Sequence, residues 1–172
     1  MSTERIQRSL DKLGRHFSKH PEDALSQDTP AKAVLESGLR CRVEGPGGEA
    51  VVTDMPASIG GGESAPTPGW LMRAALANCD ATLVALRAAQ LGIVLKHLEV
   101  TAESESDHRG ILGLDEAVPA GPLAVRVTVR LAADGVSAEQ LRELVHWAEH
   151  HSPVGDALRR AVPLNVDVLP PS

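Results

Sequence analysis

The sequence has almost no aromatic residues. Phe17, Trp70 and Trp147 are all of them, and there is no tyrosine. A nucleic-acid surface that stacks bases on aromatic rings has nothing here to be built on. Cysteine is equally scarce. Cys41 and Cys79 are the only two, with no Cys-x-x-Cys or zinc-finger spacing, so neither a disulfide scaffold nor a metal centre is expected. No apolar run reaches the ~18 residues that span a bilayer. The N-terminus holds Glu4 and Asp11 among its basic residues and lacks an apolar signal core. The expectation is a cytoplasmic protein with neither membrane nor nucleic acid among its partners.

What is present suits one compact folded domain. The chain has 172 residues, 42% of them apolar and 23% charged. Its net charge of −6 is uneven. Residues 1–20 carry five Lys/Arg against two Asp/Glu, giving +3, while the remainder carries twelve against twenty-one, giving −9. An acidic body also disfavours nucleic acid.

Ile6, Leu10, Leu13 and Phe17 make a narrow stripe at helical spacing, so residues 4–19 are expected to form a helix docked on the body or on a second subunit. Residues 1–30 therefore read as an N-terminal extension and linker, and residues 31–170 as the domain. Residues 32–44 alternate, with Ala33, Leu35, Leu39, Cys41 and Val43 on one face, which predicts a half-buried strand. Gly45-Pro46-Gly47-Gly48 turns it into a second strand over 49–54. Trp70 to Leu91 is an Ala/Leu-rich helical run stopped by Gly92. Residues 95–105 and 123–131 alternate as strands, joined by a connector, 106–122, whose Ile111, Leu112, Leu114 and Val118 suggest packing. Ser137-Ala138-Glu139-Gln140 is a capping box opening another helix. A short helix follows over 154–160, and Val162, Leu164, Val166 and Val168 alternate as a last strand. One-sided strands in this order give an α+β fold with antiparallel sheets, not a doubly wound parallel one.

Cys79 lies inside the 70–91 helix, behind the Gly/Pro-rich entry 60–69. A small-residue helix lets backbone approach that sulfur closely. The nucleophile of thiol chemistry is the thiolate. With Thr67 as cap and Pro68 as first residue, Cys79 is about three turns in, beyond the first turn where the helix dipole acts. Positive charge must come from elsewhere, and His151, close in sequence to Ser152, is one candidate source. Other constellations are weaker. Cys79, His150 and His151 lack zinc-ligand spacing. Ser152 with His151 and Asp156 lacks a nucleophile elbow. Gly60-Gly61-Gly62 lacks the Lys of a phosphate loop. Cys41 sits on the apolar face of its strand as a small hydrophobe.

The segment Gly60-Gly61-Gly62-Glu63-Ser64-Ala65-Pro66-Thr67-Pro68-Gly69-Trp70-Leu71-Met72-Arg73-Ala74-Ala75-Leu76-Ala77-Asn78-Cys79 resembles the Gly-Gly…Pro-x-Pro…Leu-Leu-x-Ala-Ala-x-x-x-Cys stretch of the OsmC/Ohr superfamily of osmotically inducible and organic hydroperoxide resistance proteins. Ser152-Pro153-Val154-Gly155-Asp156-Ala157-Leu158, followed by Val162-Pro163-Leu164-Asn165-Val166, resembles that family's Cys-Pro-Val-Ser-x-x-Leu…Val-Pro-Val-x-Val ending. The resemblance covers roughly residues 32–169. It implies antiparallel sheets packed on central helices and an intertwined homodimer with sites at the subunit interface. In peroxidase members of that family one cysteine attacks a hydroperoxide and becomes a sulfenic acid. A second condenses with it, a dithiol reductant resets the pair, and an Arg and a Glu hold the attacking thiolate.

Residue by residue, the resemblance gives Cys79 the attacking position. The second-cysteine position is Ser152, and the Glu position, ten residues before the thiol, is Gly69. Arg40 and Arg42 are the candidates for the Arg. A hydroxyl forms no disulfide, so any redox cycle here needs an external thiol. Two classes of function stay open. One is a thiol-dependent organic hydroperoxide reductase using Cys79 alone, with no cofactor. The other is a non-catalytic dimeric module that binds a small apolar ligand in an interface pocket.

Overall fold

The protein is described by a computed structural model over residues 3–170. Helix α1 (Thr3–Lys19) leads into a three-stranded antiparallel sheet, β1 (Lys32–Ser37), β2 (Arg40–Glu44) and β3 (Ala50–Thr53), in the order β1-β2-β3. Helix α2 (Pro68–Gln90) follows, then β4 (Leu95–Glu105), the single-turn helix α3 (His108–Ile111), β5 (Ala124–Ala133), α4 (Ala138–His150) and α5 (Pro153–Arg159). Strands β4 and β5 form a second, two-stranded antiparallel sheet. No helix is long and apolar enough to cross a membrane among the described residues.

The helix boundaries follow from local chemistry. Thr67 Oγ1 accepts the Trp70 N–H at 3.1 Å, and Pro68, which has no N–H to lose, is the first residue of α2. The helix stops where Gly92 takes φ +69°, a left-handed conformation that relieves the last carbonyls. At the start of α4, Ser137 Oγ accepts the Gln140 N–H at 3.2 Å, and Gln140 Oε1 accepts the Ser137 N–H at 2.9 Å.

The core lies where α2 crosses α4. Val84 and Ala88 from α2 meet Leu144 and Ala148 from α4, all almost fully buried, with Leu83, Ile93, Leu95, Leu98, Leu131, Val145 and Trp147 packed around them. The two alanines allow the helices to approach, and burying a Val or Leu side chain contributes about 1.5–3 kcal/mol. Sheet β4-β5 covers this joint with Leu98 opposite Leu131 and Val100 opposite Val129. Helix α1 docks on the far end of α2, where Gln7 Nε2 donates to the Gln90 carbonyl at 3.3 Å.

Three expectations need correction. Residues 32–44 are not one strand but a hairpin that turns at Gly38, φ +54°. Ala33 pairs with Val43 and Leu35 with Cys41, so odd-numbered residues share a face on both strands and the alternation passes through the turn without a phase break. Residues 161–170 form no strand and are exposed, with Leu164 at 86% and Val168 at 91%. Their alternation is genuine, but a strand exists only when another edge takes up its N–H and C=O groups, and no edge within the chain does so among the described residues. In the connector, Ile111, Leu112 and Leu114 are exposed rather than packed.

Candidate functional site

Cys79 is half-buried on α2. Ser152, fully buried, caps α5. Its Oγ accepts the Gly155 N–H at 3.1 Å and directs its own proton at the Cys79 sulfur, 3.3 Å away. The fold therefore brings together two positions that lie 73 residues apart in sequence. Gly155 makes room for this seat. A Cβ there would stand 3.2 Å from Ser152 Oγ and 3.0 Å from Arg159 Nη2.

The other candidates stand elsewhere. His151 stacks flat on Trp147, ring centroids 4.0 Å apart and 12° from parallel, and its Nδ1 bonds the Trp147 carbonyl at 2.7 Å. Arg87 covers Trp147 at 4.8 Å. His151 is thus engaged by α4 and makes no hydrogen bond to Cys79 among the described residues. Arg40 pairs with Glu36 at 2.9 Å and donates to Ser64 Oγ. Arg42 pairs with Glu44 at 2.9 Å. Neither reaches Cys79 by a hydrogen bond within the chain. Arg73, one and a half turns before the thiol, donates to Ser104 Oγ on β4 at 3.1 Å. Gly69 sits in the first turn of α2 and supplies no carboxylate.

The entry to α2 is organised by a residue that the motif did not single out. Buried Asp54 accepts the Met55 N–H at 2.8 Å and the Gly62 N–H at 3.3 Å on Oδ1. Its Oδ2 accepts the Ser64 N–H at 3.1 Å and the Ser64 hydroxyl at 2.7 Å. These bonds, the Ser64 hydroxyl first, lower its pKa to about 2. Of the three consecutive glycines only Gly62 donates to this carboxylate; the Gly60 N–H goes to the Ala57 carbonyl at 2.9 Å and the Gly61 N–H to the Pro56 carbonyl at 3.0 Å. Gly61 is required by space as well, since a Cβ there would stand 1.9 Å from the Met55 carbonyl oxygen. The signal available in the sequence was a lone carboxylate a few residues upstream of a Gly/Ser loop whose Gly62 and Ser64 amides need acceptors.

Behind Cys79, Asp80 is buried with Oδ1 unpartnered among the described residues. It lines a cavity of about 370 Å³, walled by Leu76, Val84, Val127, Val129 and Leu158 with Arg159 at its edge. A second cavity of about 440 Å³ shares Val127, Val129, Val145 and Glu149 with the first. Together they form a groove between α4 and the apolar face of β5. The groove leaves Val125 and Val127 about two-fifths exposed.

Comparison with known proteins agrees with this architecture. Residues 60–167 match the family of OsmC-like proteins. An OsmC-like protein from Mycoplasma pneumoniae superposes with a TM-score of 0.67 at 13% identity, covering 78% of this chain and 89% of that one. The organic hydroperoxide resistance protein OsmC from Legionella pneumophila superposes with a TM-score of 0.58 at 24% identity, covering 78% and 91%. An organic hydroperoxide resistance protein from Elizabethkingia anophelis gives 0.58 at 20% identity, covering 78% and 90%. A search of curated protein sequences finds no match.

Proposed function

The chain belongs to the OsmC-like protein family, and on that footing we propose that it is a one-cysteine, thiol-dependent reductase of organic hydroperoxides. The observation that carries the reading is the 3.3 Å contact between the Ser152 hydroxyl and the Cys79 sulfur. It joins the two positions that the peroxidase pattern fills with a reacting pair of thiols. Structural neighbours named as organic hydroperoxide resistance proteins support the same class.

In the proposed reaction the Cys79 sulfur attacks the terminal oxygen of the hydroperoxide. The O–O bond breaks and the alcohol leaves with a proton, so the peroxide is reduced and the sulfur is oxidised to a sulfenic acid. Ser152 donates to the sulfur and forms no bond to it. An external thiol attacks the sulfenic sulfur and water leaves. A second thiol, most simply on the same dithiol carrier, then attacks the mixed disulfide and frees Cys79 as the carrier becomes a disulfide.

The working unit in this proposal is a homodimer. Two apolar surfaces support it: the bare alternation at Val162, Leu164, Val166 and Val168, and the exposed Leu35 and Val51 on the odd-numbered face of the first sheet. A second chain covering them would take these side chains out of water.

The second reading, a binding module for a small apolar ligand, is favoured by the valine-lined groove beside Asp80. One experiment separates the two. The protein is mixed with cumene hydroperoxide and a dithiol reductant, and peroxide loss is followed with a sulfenic-acid probe present in a parallel sample. Peroxidase function predicts thiol-dependent peroxide loss and labelling at Cys79, both abolished by Cys79→Ser and retained by Cys41→Ser. No turnover and no labelled Cys79 would leave the binding module.

A further inference from the structure

We propose that the outer face of α4 carries a transition-metal site formed by His146, Glu149 and His150. Spacings of three and four residues place these side chains on one helical face. One ligand atom from each lies within 4.8 Å of the other two. The donor set is two imidazoles and a carboxylate, a combination that suits first-row divalent ions, zinc among them. The site lies outside the thiol chemistry proposed above and does not depend on it.

Two features distinguish this trio from unrelated surface side chains. First, His150 Nδ1 lies 2.8 Å from the His146 carbonyl oxygen. A carbonyl only accepts, so in the neutral ring Nδ1 carries the proton and Nε2 presents its lone pair. Ligating histidines are held in this way by a hydrogen bond from the other ring nitrogen. Second, Glu149 is oriented from both sides. Its Oε2 faces His146 Nδ1 at 3.9 Å, and its Oε1 is paired with Arg159 Nη1 at 3.6 Å. Arg159 also donates to the Glu149 backbone carbonyl. The guanidinium thus takes the place of an outer partner on the ligating carboxylate and leaves one oxygen for the ion.

Zinc bonds of about 2.0–2.2 Å to nitrogen and oxygen require the three donors to close by roughly 1 Å. All three residues are exposed and can make that adjustment. Three protein ligands leave coordination positions for water or for a small anion. His146 and Glu149 also line the cavity between α4 and β5, which places the ion at its rim. The sequence paired His150 with Cys79 and His151 as a weak zinc set. In the structure His150 instead faces His146, one turn back on the same helix.

The test is a titration of the full chain with zinc chloride by calorimetry, with histidine imidazole resonances followed in parallel by NMR. One equivalent of zinc is expected to bind and to shift the resonances of His146 and His150. His146→Gln and His150→Gln are each expected to weaken binding by about tenfold or more, since even outer-partner losses reach that scale. His16→Gln and Cys79→Ser should leave the affinity unchanged, and magnesium should give no comparable heat. Absence of zinc binding, or binding that survives both α4 substitutions, would overturn the proposal. So would binding that is lost with His16 or with Cys79.

Discussion

The Ser152 hydroxyl binds two elements at once, with its oxygen on the Gly155 N–H at 3.1 Å and its proton on the Cys79 sulfur at 3.3 Å. One buried side chain therefore both starts α5 and fixes that helix to the middle of α2. A sulfur placed on the same Cβ would lose the cap and gain a bonding partner.

The first prediction concerns that exchange. In Ser152→Cys, mild oxidation should close a disulfide to Cys79, since disulfide sulfurs sit at about 2.05 Å and the present contact needs only a small rotation. Mass spectrometry of the intact, unreduced protein should show the loss of two hydrogens and a crosslinked 79–152 peptide. Two free thiols after oxidation would show that the two positions are not held together in solution.

Ser152→Ala isolates the cap. It removes the acceptor for the buried Gly155 N–H, and loss of such a cap typically costs about 0.5–2 kcal/mol. Urea unfolding should show a lower midpoint with an unchanged slope. Wild-type stability in the alanine variant would contradict the assigned bond.

The α2 entry loop should hold until strong acid. The folded-state pKa of Asp54 is depressed to about 2, chiefly by the Ser64 hydroxyl. Its contribution to stability is therefore fully present above the ordinary carboxylate value of about 4, and it is lost as pH falls through about 2. Hydrogen-exchange protection of the Ser64 and Gly62 amides, measured against the intrinsic rate at each pH, should be retained at pH 4 and fall towards pH 2. Asp54→Asn should accelerate exchange already at neutral pH.

Gly61→Ala should be poorly tolerated, because the new Cβ would overlap the Met55 carbonyl oxygen. Overpacking of this kind costs about 1–3 kcal/mol. Gly69→Ala, whose Cβ would meet nothing nearer than 3.9 Å, should be close to neutral. Thermal unfolding of the two variants reads the contrast directly.

The proposed dimer makes its own prediction. Val166→Lys places a charge in the exposed apolar alternation of the C-terminal segment. Light scattering should report a dimer for the wild type and a shift towards monomer for the variant. A monomeric wild type would remove the second subunit from the proposal.

Some of this architecture was legible because the information is local. The cap at Thr67, the capping box at Ser137 and Gln140, and the stop at Gly92 each depend on residues within one turn. The split at Gly38 was not legible, because the parity of Leu35 and Cys41 is preserved across the hairpin and alternation carries no mark of reversal. The unpaired state of 161–170 was not legible for the opposite reason. Its pattern records a face to be covered, whereas pairing depends on an edge outside the segment. At the site, the family resemblance placed Ser152 opposite Cys79. Asp54 escaped because its role is to satisfy the Gly62 and Ser64 amides, eight and ten residues away, which no side-chain motif records.

The sandwich of Arg87, Trp147 and His151 gives this protein a built-in optical reporter. With no tyrosine and only one other indole, the half-exposed Trp70 at the start of α2, Trp→Phe exchange at position 70 would leave a single fluorophore wedged at the α2–α4 joint. Its emission should respond when the turn leading to Ser152 loosens. Events at the sulfur could then be followed in real time without attaching a dye.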